Sequence, residues 1–534
     1  MSSIIYAIHQ KTKIYKIAYA SFCKMIVVIN FGAQYAHLIA RRVRELGVHS
    51  EIVKYDISAK DIKAMNPDGI ILSGGPSSVN IKDAPLLEKA IMNLKIPILG
   101  ICYGHQLLGK YVGGTVSNKG VGEYGKKALK IKGSSMILKG IKKQSTVWMS
   151  HFDSVNNLPK TFSVLASTNT CAIASFESHS KKIYGVQFHP EVVHTEAGMQ
   201  VLKNFVLNIC MAKKDWNIWN ITKKIISEIS DEAKNDSVIM GTSGGVDSTV
   251  ASVLISRAIG KKLHCVFIDH GLIRKNELEE VKAIYKRLKL NVHYADASRL
   301  FLRKLAGVTD PEKKRTIIGH TFIEVFEKEA KRLEQRYKTI KFLGQGTIYP
   351  DRIESAEPSK QASKIKSHHN VTLPEKMKLK VIEPLKEFYK DEVRKIGAKL
   401  GLPYEILWRH PFPGPGLAIR IVGEITDERL RILKEADYIY IEELKKHNYY
   451  NKIWQAFAAL LPVKTVGVQG DARTYAYIIS LRAVTSKDAM TADWARLPDW
   501  LLETISNRII NEVKGVNRVV YDISQKPPAT IEYE

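Results

Sequence analysis

The sequence predicts an α/β protein of three parts: two parallel-sheet α/β domains, then a smaller α+β unit. Three observations carry that expectation. At 534 residues the chain is about three and a half times the roughly 150 residues typical of one domain. Short β-rich runs alternate with amphipathic stretches in two separate series, the pattern of parallel strands joined by helices. The Pro- and Gly-dense string RHPFPGPGLAIR then interrupts the chain where its charge changes: the net +27 lies wholly in residues 1–410, and the last 124 residues sum to zero.

Residues 1–24 contain four Lys and no acid, without the long apolar segment and small-residue cleavage site of a signal peptide, and read as an extension. MIVVINF opens the first series at Met25, followed by AQYAHLIARRVRELG at helical spacing, then DGIILSGGP and IPILGICYG. The second series has strands at SVIM, LHCVFID, NVHYADA and IKFLGQG, and the polar, Lys-rich segment 356–380 reads as a mobile loop. The expected domains are thus 25–211, 212–409 and 410–534. With 45% hydrophobic and 25% charged residues, the composition excludes collagen-like and wholly disordered classes, and no apolar run is long enough for a membrane helix. The lysines are scattered rather than striped with aromatics, so no specific nucleic-acid partner is expected. Five cysteines without a CxxC point to a reducing, cytoplasmic compartment.

Two strings carry chemistry. In ILGICYGHQLLG, Cys102 lies in a GxCxG setting between strand and helix, where glycines allow the sharp turn that raises a nucleophile above a sheet. In KIYGVQFHPEV, the residue before Pro190 is biased to extended backbone, so His189 and Glu191 should share a face, as a base and its orienting carboxylate require. SGGPSS adds glycine N–H groups near Gly74 and Gly75 suited to an oxyanion. In SVIMGTSGGVDSTVASVLISRAIG, the small residues Ser243, Gly244, Gly245, Val246, Asp247 and Ser248 form a strand–loop–helix turn on which phosphate can sit, without the GK[ST] of a Walker loop.

SGGP, GICYGHQ and FHPE together resemble the class I glutamine amidotransferases. The resemblance implies Cys102 as nucleophile, His189 as base, Glu191 as orienter, Gln106 as a glutamine contact, and backbone near Gly74 and Tyr103 as oxyanion hole. SGGVDS resembles the loop of the N-type ATP pyrophosphatases, Rossmann-like enzymes that adenylate a substrate and release pyrophosphate. An ammonia source joined to an adenylating domain needs an acceptor oxygen to replace. GQGTIYPDRIES, KSHHN, RHPFPGPGLAIR, GVQGDARTYAY and the terminal KPPATIEYE resemble the GMP synthetase family, from Met25 to Glu534. That resemblance implies ATP, L-glutamine and xanthosine 5'-monophosphate (XMP) as substrates, Mg²⁺ held by Asp247 and Glu354, and a homodimer through the C-terminal domain. It implies Asp351 and Glu354 for adenylation, a lid of Lys366, His368, His369 and Asn370, and nucleotide contacts from Arg315, Asp471, Lys526 and Glu532. Deleting Ala529–Glu534, or Lys526→Ala, is expected to abolish amination from either nitrogen source while sparing the fold and the reactivity of Cys102. An adenylating tRNA-modifying pyrophosphatase is the alternative; it would need sulfur-relay cysteines or an RNA-binding appendage, and neither is visible. Three positions depart from the family: Asn30 for Asp, Phe152 for Gly beside the glutamine pocket, and Tyr533 for Trp.

Overall fold

The computed structural model describes residues 24–32, 35–75, 78–355, 379–469, 472–486 and 491–534. The first 23 residues, the lid residues Lys366, His368, His369 and Asn370, and Asp471 lie outside the described residues. The chain divides into two compact units, with the boundary between Ile221 and Thr222.

The first unit is built on a nine-stranded sheet of order β2-β1-β3-β4-β9-β8-β7-β5-β6. Strands β1 (Ile26–Asn30), β2 (Ser50–Lys54), β3 (Gly69–Leu72), β4 (Ile98–Ile101) and β9 (Ile183–Val186) run parallel. Every residue of β1, β3, β4 and β9 is buried, which is why these strands read as continuous apolar runs rather than alternating ones. Helix α1 (Ala36–Glu45) turns Ala36, Ile39, Ala40 and Val43 inward at helical spacing. Helix α2 (Ala59–Met65) starts where Ser58 Oγ accepts from the Asp61 N–H at 3.1 Å and ends at left-handed Asn66.

The other half of this sheet is antiparallel: β5 (Thr115–Ile131), β6 (Gln144–Asn157), β7 (Ser163–Ser167) and β8 (Ser175–Ser178). The expected parallel series therefore covers only part of the first domain. β5 is rich in Lys and Gly and reads as polar in sequence, but its partner β6 alternates buried and more exposed residues from Ser145 to Phe152, the mark of a strand covered on one face. Helix α3 (Tyr103–Tyr111) follows β4 directly, and α4 (Gly198–Lys203) follows β9 after a loop.

Helix α5 (Ile218–Ala233) leads into the second unit, which has two sheets. The first has order β12-β11-β10-β13-β14 and is wholly parallel: β10 (Ser237–Thr242), β11 (Leu263–Asp269), β12 (Val292–Asp296), β13 (Ile340–Gly344) and β14 (Lys380–Ile382). Connections from β10 go to β11 on one side while β13 closes the other, so the strand order reverses at β10, the place where open α/β sheets leave a crevice. Helix α6 (Val246–Ile259) begins there. The second sheet holds β15 (Gln455–Gln469), β16 (Ala472–Thr485), β17 (Asp493–Trp494) and β18 (Val516–Asp522), with β18 parallel to β16 and the other pairs antiparallel. One apolar core runs through both sheets, from Ile239 and Val266 through Leu417 and Leu433 to Ile479 and Val516.

Candidate active sites

Cys102 sits between β4 and α3 at φ 53° and ψ −104°, a strained conformation for a residue with a side chain. Neighbouring contacts hold it there. Its N–H donates to Val186 O at 2.9 Å, and the Gly104 N–H donates to Ser73 O at 3.1 Å. The flanking glycines are required by space: a Cβ at Gly100 would lie 2.4 Å from Gly104 O, and one at Gly104 would lie 2.6 Å from both Cβ and O of Leu72. The Tyr103 ring lies against Gly75, which brings the Ser73–Gly75 backbone beside the elbow, where oxyanion donors were expected.

His189 and Glu191 come together as their spacing predicts. His189 Nδ1 lies 2.7 Å from Glu191 Oε1, and both side chains are buried. Burial disfavours a charged ring, but the Glu191 carboxylate and the Cys102 thiol beside it win, holding His189 well above the ordinary imidazole value. The thiol is a hydrogen-bond partner of His189 and reaches Ser150 O on β6 at 3.6 Å. A thiol, an imidazole and a carboxylate in this order can shed a proton from sulfur and stabilise the resulting cation, which is nucleophile chemistry. Gln106, one turn after Cys102, is buried, and its Nε2 donates to Asp153 O at 2.7 Å and to Gln187 Oε1 at 3.2 Å. Phe152 is 48% exposed on the opposite face of β6 from His151, and its ring lies against Gly122, as does that of Tyr124. Asn30 accepts from the Gly32 N–H at 2.9 Å, the turn a carboxylate would make.

In the second unit the Ser243–Ser248 turn sits at the C-terminal end of β10. Gly244 has φ 73°, and a Cβ there would meet Val281 at 2.8 Å. Ser248 Oγ accepts from the Ser243 N–H at 3.3 Å and donates to Gly245 O at 3.2 Å, while Gly245 caps α6. Sequence reasoning expected these N–H groups to face phosphate together. That of Gly244 instead donates to the buried Tyr285 hydroxyl at 3.0 Å. Asp247 pairs through one oxygen with Lys390, the first residue of α11; the helices between are α7 (Glu277–Arg287), α8 (Ser298–Leu305), α9 (Pro311–Arg336) and α10 (Tyr349–Ser355), and α11 is Lys390–Lys399. The other Asp247 oxygen is buried and has no hydrogen-bond partner among the described residues. Asp351 Oδ2 accepts from the Ile348 N–H at 3.1 Å at the start of α10, and Glu354 lies three residues on in that helix.

The tail is built into the second unit. Glu532 accepts two bonds of 3.0 Å from the wholly buried Arg420, and Gln455 Nε2 donates to it at 2.6 Å. Arg315 donates to the backbone oxygen of Glu534, and the buried Lys314 pairs with the Glu534 side chain. Arg315 thus meets the last residue of the tail and Glu532 is held by Arg420 and Gln455, while Lys526 is joined through its backbone to Ala492. The expectation that deleting Ala529–Glu534 spares the fold is at odds with this packing, because Lys314, Arg420 and Arg482 are buried against those residues. Tyr533 fills the usual Trp position edge-on to Phe457, its hydroxyl 2.7 Å from Ser480. Lys390, Arg420, Gln455 and Tyr285 escaped the sequence reading: Arg420 ends the string RHPFPGPGLAIR, but all four acquire their roles through pairings across 41 to 143 residues.

Residues 27–209 match the family model for glutamine amidotransferase class-I, residues 181–315 that for NAD synthase, and residues 442–533 that for the GMP synthase C terminal domain. The chain is 57% identical over 510 residues to the glutamine-hydrolyzing GMP synthase of Aquifex aeolicus, covering 95% of this chain and 99% of the relative. It is 54% identical over 513 residues to that of Nitratidesulfovibrio vulgaris and 54% over 511 to that of Carboxydothermus hydrogenoformans, with the same coverage of each. With this identity along nearly the whole length of both chains, the protein belongs to the glutamine-hydrolysing GMP synthase family.

Proposed function

We propose that the protein aminates XMP to GMP with ammonia released from glutamine, at the expense of ATP cleaved to AMP and pyrophosphate. In the first step the Cys102 sulfur attacks the glutamine side-chain carbonyl while His189 takes the thiol proton and later delivers a proton to departing ammonia. Glu191 fixes the ring and steadies its cation, and N–H groups near Gly74 and Tyr103 receive the oxyanion. Gln106 lines the glutamine site. Water then frees glutamate from the thioester.

In the second unit XMP O2 attacks the α-phosphorus of ATP, and pyrophosphate leaves onto Ser243, Gly245, Val246 and Ser248, while Gly244, its N–H held by Tyr285, shapes the turn. Ammonia next adds at C2 and AMP departs, giving GMP. Mg²⁺ fits this site through its donors: a hard cation takes carboxylate oxygen, and Asp247 offers a buried oxygen without a partner among the described residues. Asp247 and Glu354 would hold it, and it would supply charge neutralisation for the polyphosphate. Lys390, already beside Asp247, adds a second cation there. Asp351 serves adenylation, the lid residues Lys366, His368, His369 and Asn370 close on phosphate, and Arg315, Asp471, Lys526 and Glu532 bind XMP.

Residues 25–211 would be the amidotransferase, 212–409 the adenylating domain, and 410–534 the nucleotide-binding and dimerising domain, in a cytoplasmic homodimer. Support for self-association comes from the β15–β16 hairpin, where Val463, Val466, Val468 and Tyr475 are exposed and Val466 pairs directly with Tyr475. Among the described residues no helix is long and apolar enough to cross a membrane.

The observation that carries this reading is the strained Cys102 elbow facing a buried His189–Glu191 pair in one unit while a Walker-less phosphate turn stands at the sheet crevice of the other. With XMP, ATP, Mg²⁺ and ammonium, the protein is expected to release AMP and pyrophosphate in step with GMP. Stoichiometric ADP would refute adenylation.

A further inference from the structure

Behind the elbow, on the buried face of β6, lies a polar cluster that the proposed reaction does not use. Glu123 on β5 and His151 on β6 are cross-strand partners, with side chains 3% exposed each and His151 Nε2 3.1 Å from Glu123 Oε2. His151 Nδ1 lies 2.9 Å from Asp153 O. A carbonyl oxygen can only accept, so Nδ1 carries a proton, and one further proton links Nε2 to the Glu123 carboxyl group. The other carboxyl oxygen of Glu123 accepts from Thr168 Oγ1 at 2.6 Å and from Thr170 Oγ1. The cluster is therefore a histidine–glutamate pair in the domain interior whose ring nitrogens and carboxyl oxygens are all engaged. His105 has no carboxylate partner of this kind: its Nε2 meets the carbonyl of Ile173 at 3.1 Å, and burial pushes it down to about 3.

The pair is wired to the elbow. Asp153 O, which receives His151, also receives Gln106 Nε2 at 2.7 Å, and Gln106 donates its backbone N–H to Cys102 O at 3.1 Å. Two residues before Asp153 along β6 is His151 itself, and one further back is Ser150, whose carbonyl faces Cys102 Sγ at 3.6 Å. A metal is the competing occupant, because Cys171 lies close enough to Glu123 and His151 to share one. Both carboxylate oxygens of Glu123 and both nitrogens of His151 are already engaged in hydrogen bonds, which disfavours it.

We infer that the hydrogen-bonded Glu123–His151 pair is a positioning device for glutamine hydrolysis, locking the Ser150–Asp153 segment at the distance from Cys102 that the glutamine site requires. This rests on the glutaminase role of Cys102 proposed above. His151 and Glu123 touch neither the thiol nor the triad; they act through the strand and through Gln106.

The test compares wild type with Glu123→Gln in the full chain. The variant keeps the size but turns one carboxyl oxygen into an amide N–H donor, so it cannot serve both His151 and the two threonines as Glu123 does. The KM for glutamine is expected to rise about tenfold or more while kcat falls less, because a displaced wall weakens substrate binding before it disturbs the triad. Ammonia-dependent GMP formation should be unchanged, and Glu123→Asp should recover part of the loss. Ring ¹⁵N NMR reads the pair directly: the Nε2 resonance of His151 should shift between wild type and Glu123→Gln, because its partner atom changes. Identical His151 ring resonances in the two proteins, one zinc per chain by atomic emission, or a Glu123→Gln variant with wild-type glutamine KM would each overturn the inference. A wild type without glutaminase activity would sink the role of Cys102 instead, and the NMR result would still decide the state of the pair.

Discussion

Replacing Gly104 by Ala adds one methyl at the most crowded turn of the elbow. The new Cβ would lie 2.6 Å from Leu72 Cβ and from Leu72 O, and 3.0 Å from Leu72 C. Two of the three clashing atoms are backbone of β3, so a side-chain rotation cannot relieve the contact; the strand or the elbow must move by roughly 1 Å. Overpacking of this kind costs about 1–3 kcal/mol, and the gain of up to about 1 kcal/mol in helix propensity offsets only part of it. For a unit of about 200 residues that cost lowers the melting temperature by roughly 2–10 °C. The larger effect is on chemistry, because the same shift displaces Cys102 against His189, and a misplacement of about 1 Å costs on the order of 100-fold. Glutamine-dependent and ammonium-dependent turnover, measured side by side with calorimetry, separate the outcomes. The expected result is a fall of about 100-fold with glutamine, an unchanged rate with ammonium, and a lower first-unit transition. Wild-type glutamine turnover with an unshifted melt would refute the steric argument.

The remaining expectations can be checked on the same preparations. Gly319→Ala, in the interior of α9 where a Cβ meets nothing within 4 Å, should stabilise the second unit by about 0.4–1 kcal/mol in urea denaturation. Deleting Ala529–Glu534 removes carboxylate or carbonyl acceptors from the buried Lys314, Arg420 and Arg482, so the second unit should lose about 3–5 kcal/mol or fail to fold, where a removable tail would leave its melt unchanged. Burial of His270 pushes its ring down from 6.5 to about 4, so below pH 6.5 the unfolded chain binds a proton that the native ring refuses. Stability should therefore fall by about 2 kcal/mol between pH 6.5 and 5 from this group, and His270→Gln should flatten that slope.

What was legible in the sequence was what short-range constraint dictates. GxCxG reports a turn that only glycine permits, and HPE places two side chains on one face because proline restricts the residue before it; both sites emerge with the expected neighbours. The SGGVDS turn was readable for the same reason, since strand, glycines and helix follow within a few residues. Pairings between distant segments were not readable. Nothing local in GEYGKK announces a long strand, and Glu123 becomes a partner of His151 only when β5 and β6 register. Arg420 meets Glu532 across 112 residues, and the Gly244 N–H is claimed by a tyrosine 41 residues on. A run of lysines on an exposed strand face resembles a run of lysines on any surface, so the antiparallel half of the first sheet was invisible to periodicity read from the apolar residues alone.

The central claim is that two separate chemistries, ammonia release and adenylation, reside on the two units, and Cys102→Ala tests it most directly. In the variant, GMP formation from XMP, ATP and Mg²⁺ should vanish with glutamine as nitrogen source and persist at the wild-type rate with ammonium, because the thiol serves only to release ammonia. Equal loss from both sources, or undiminished synthesis from glutamine, would contradict the account.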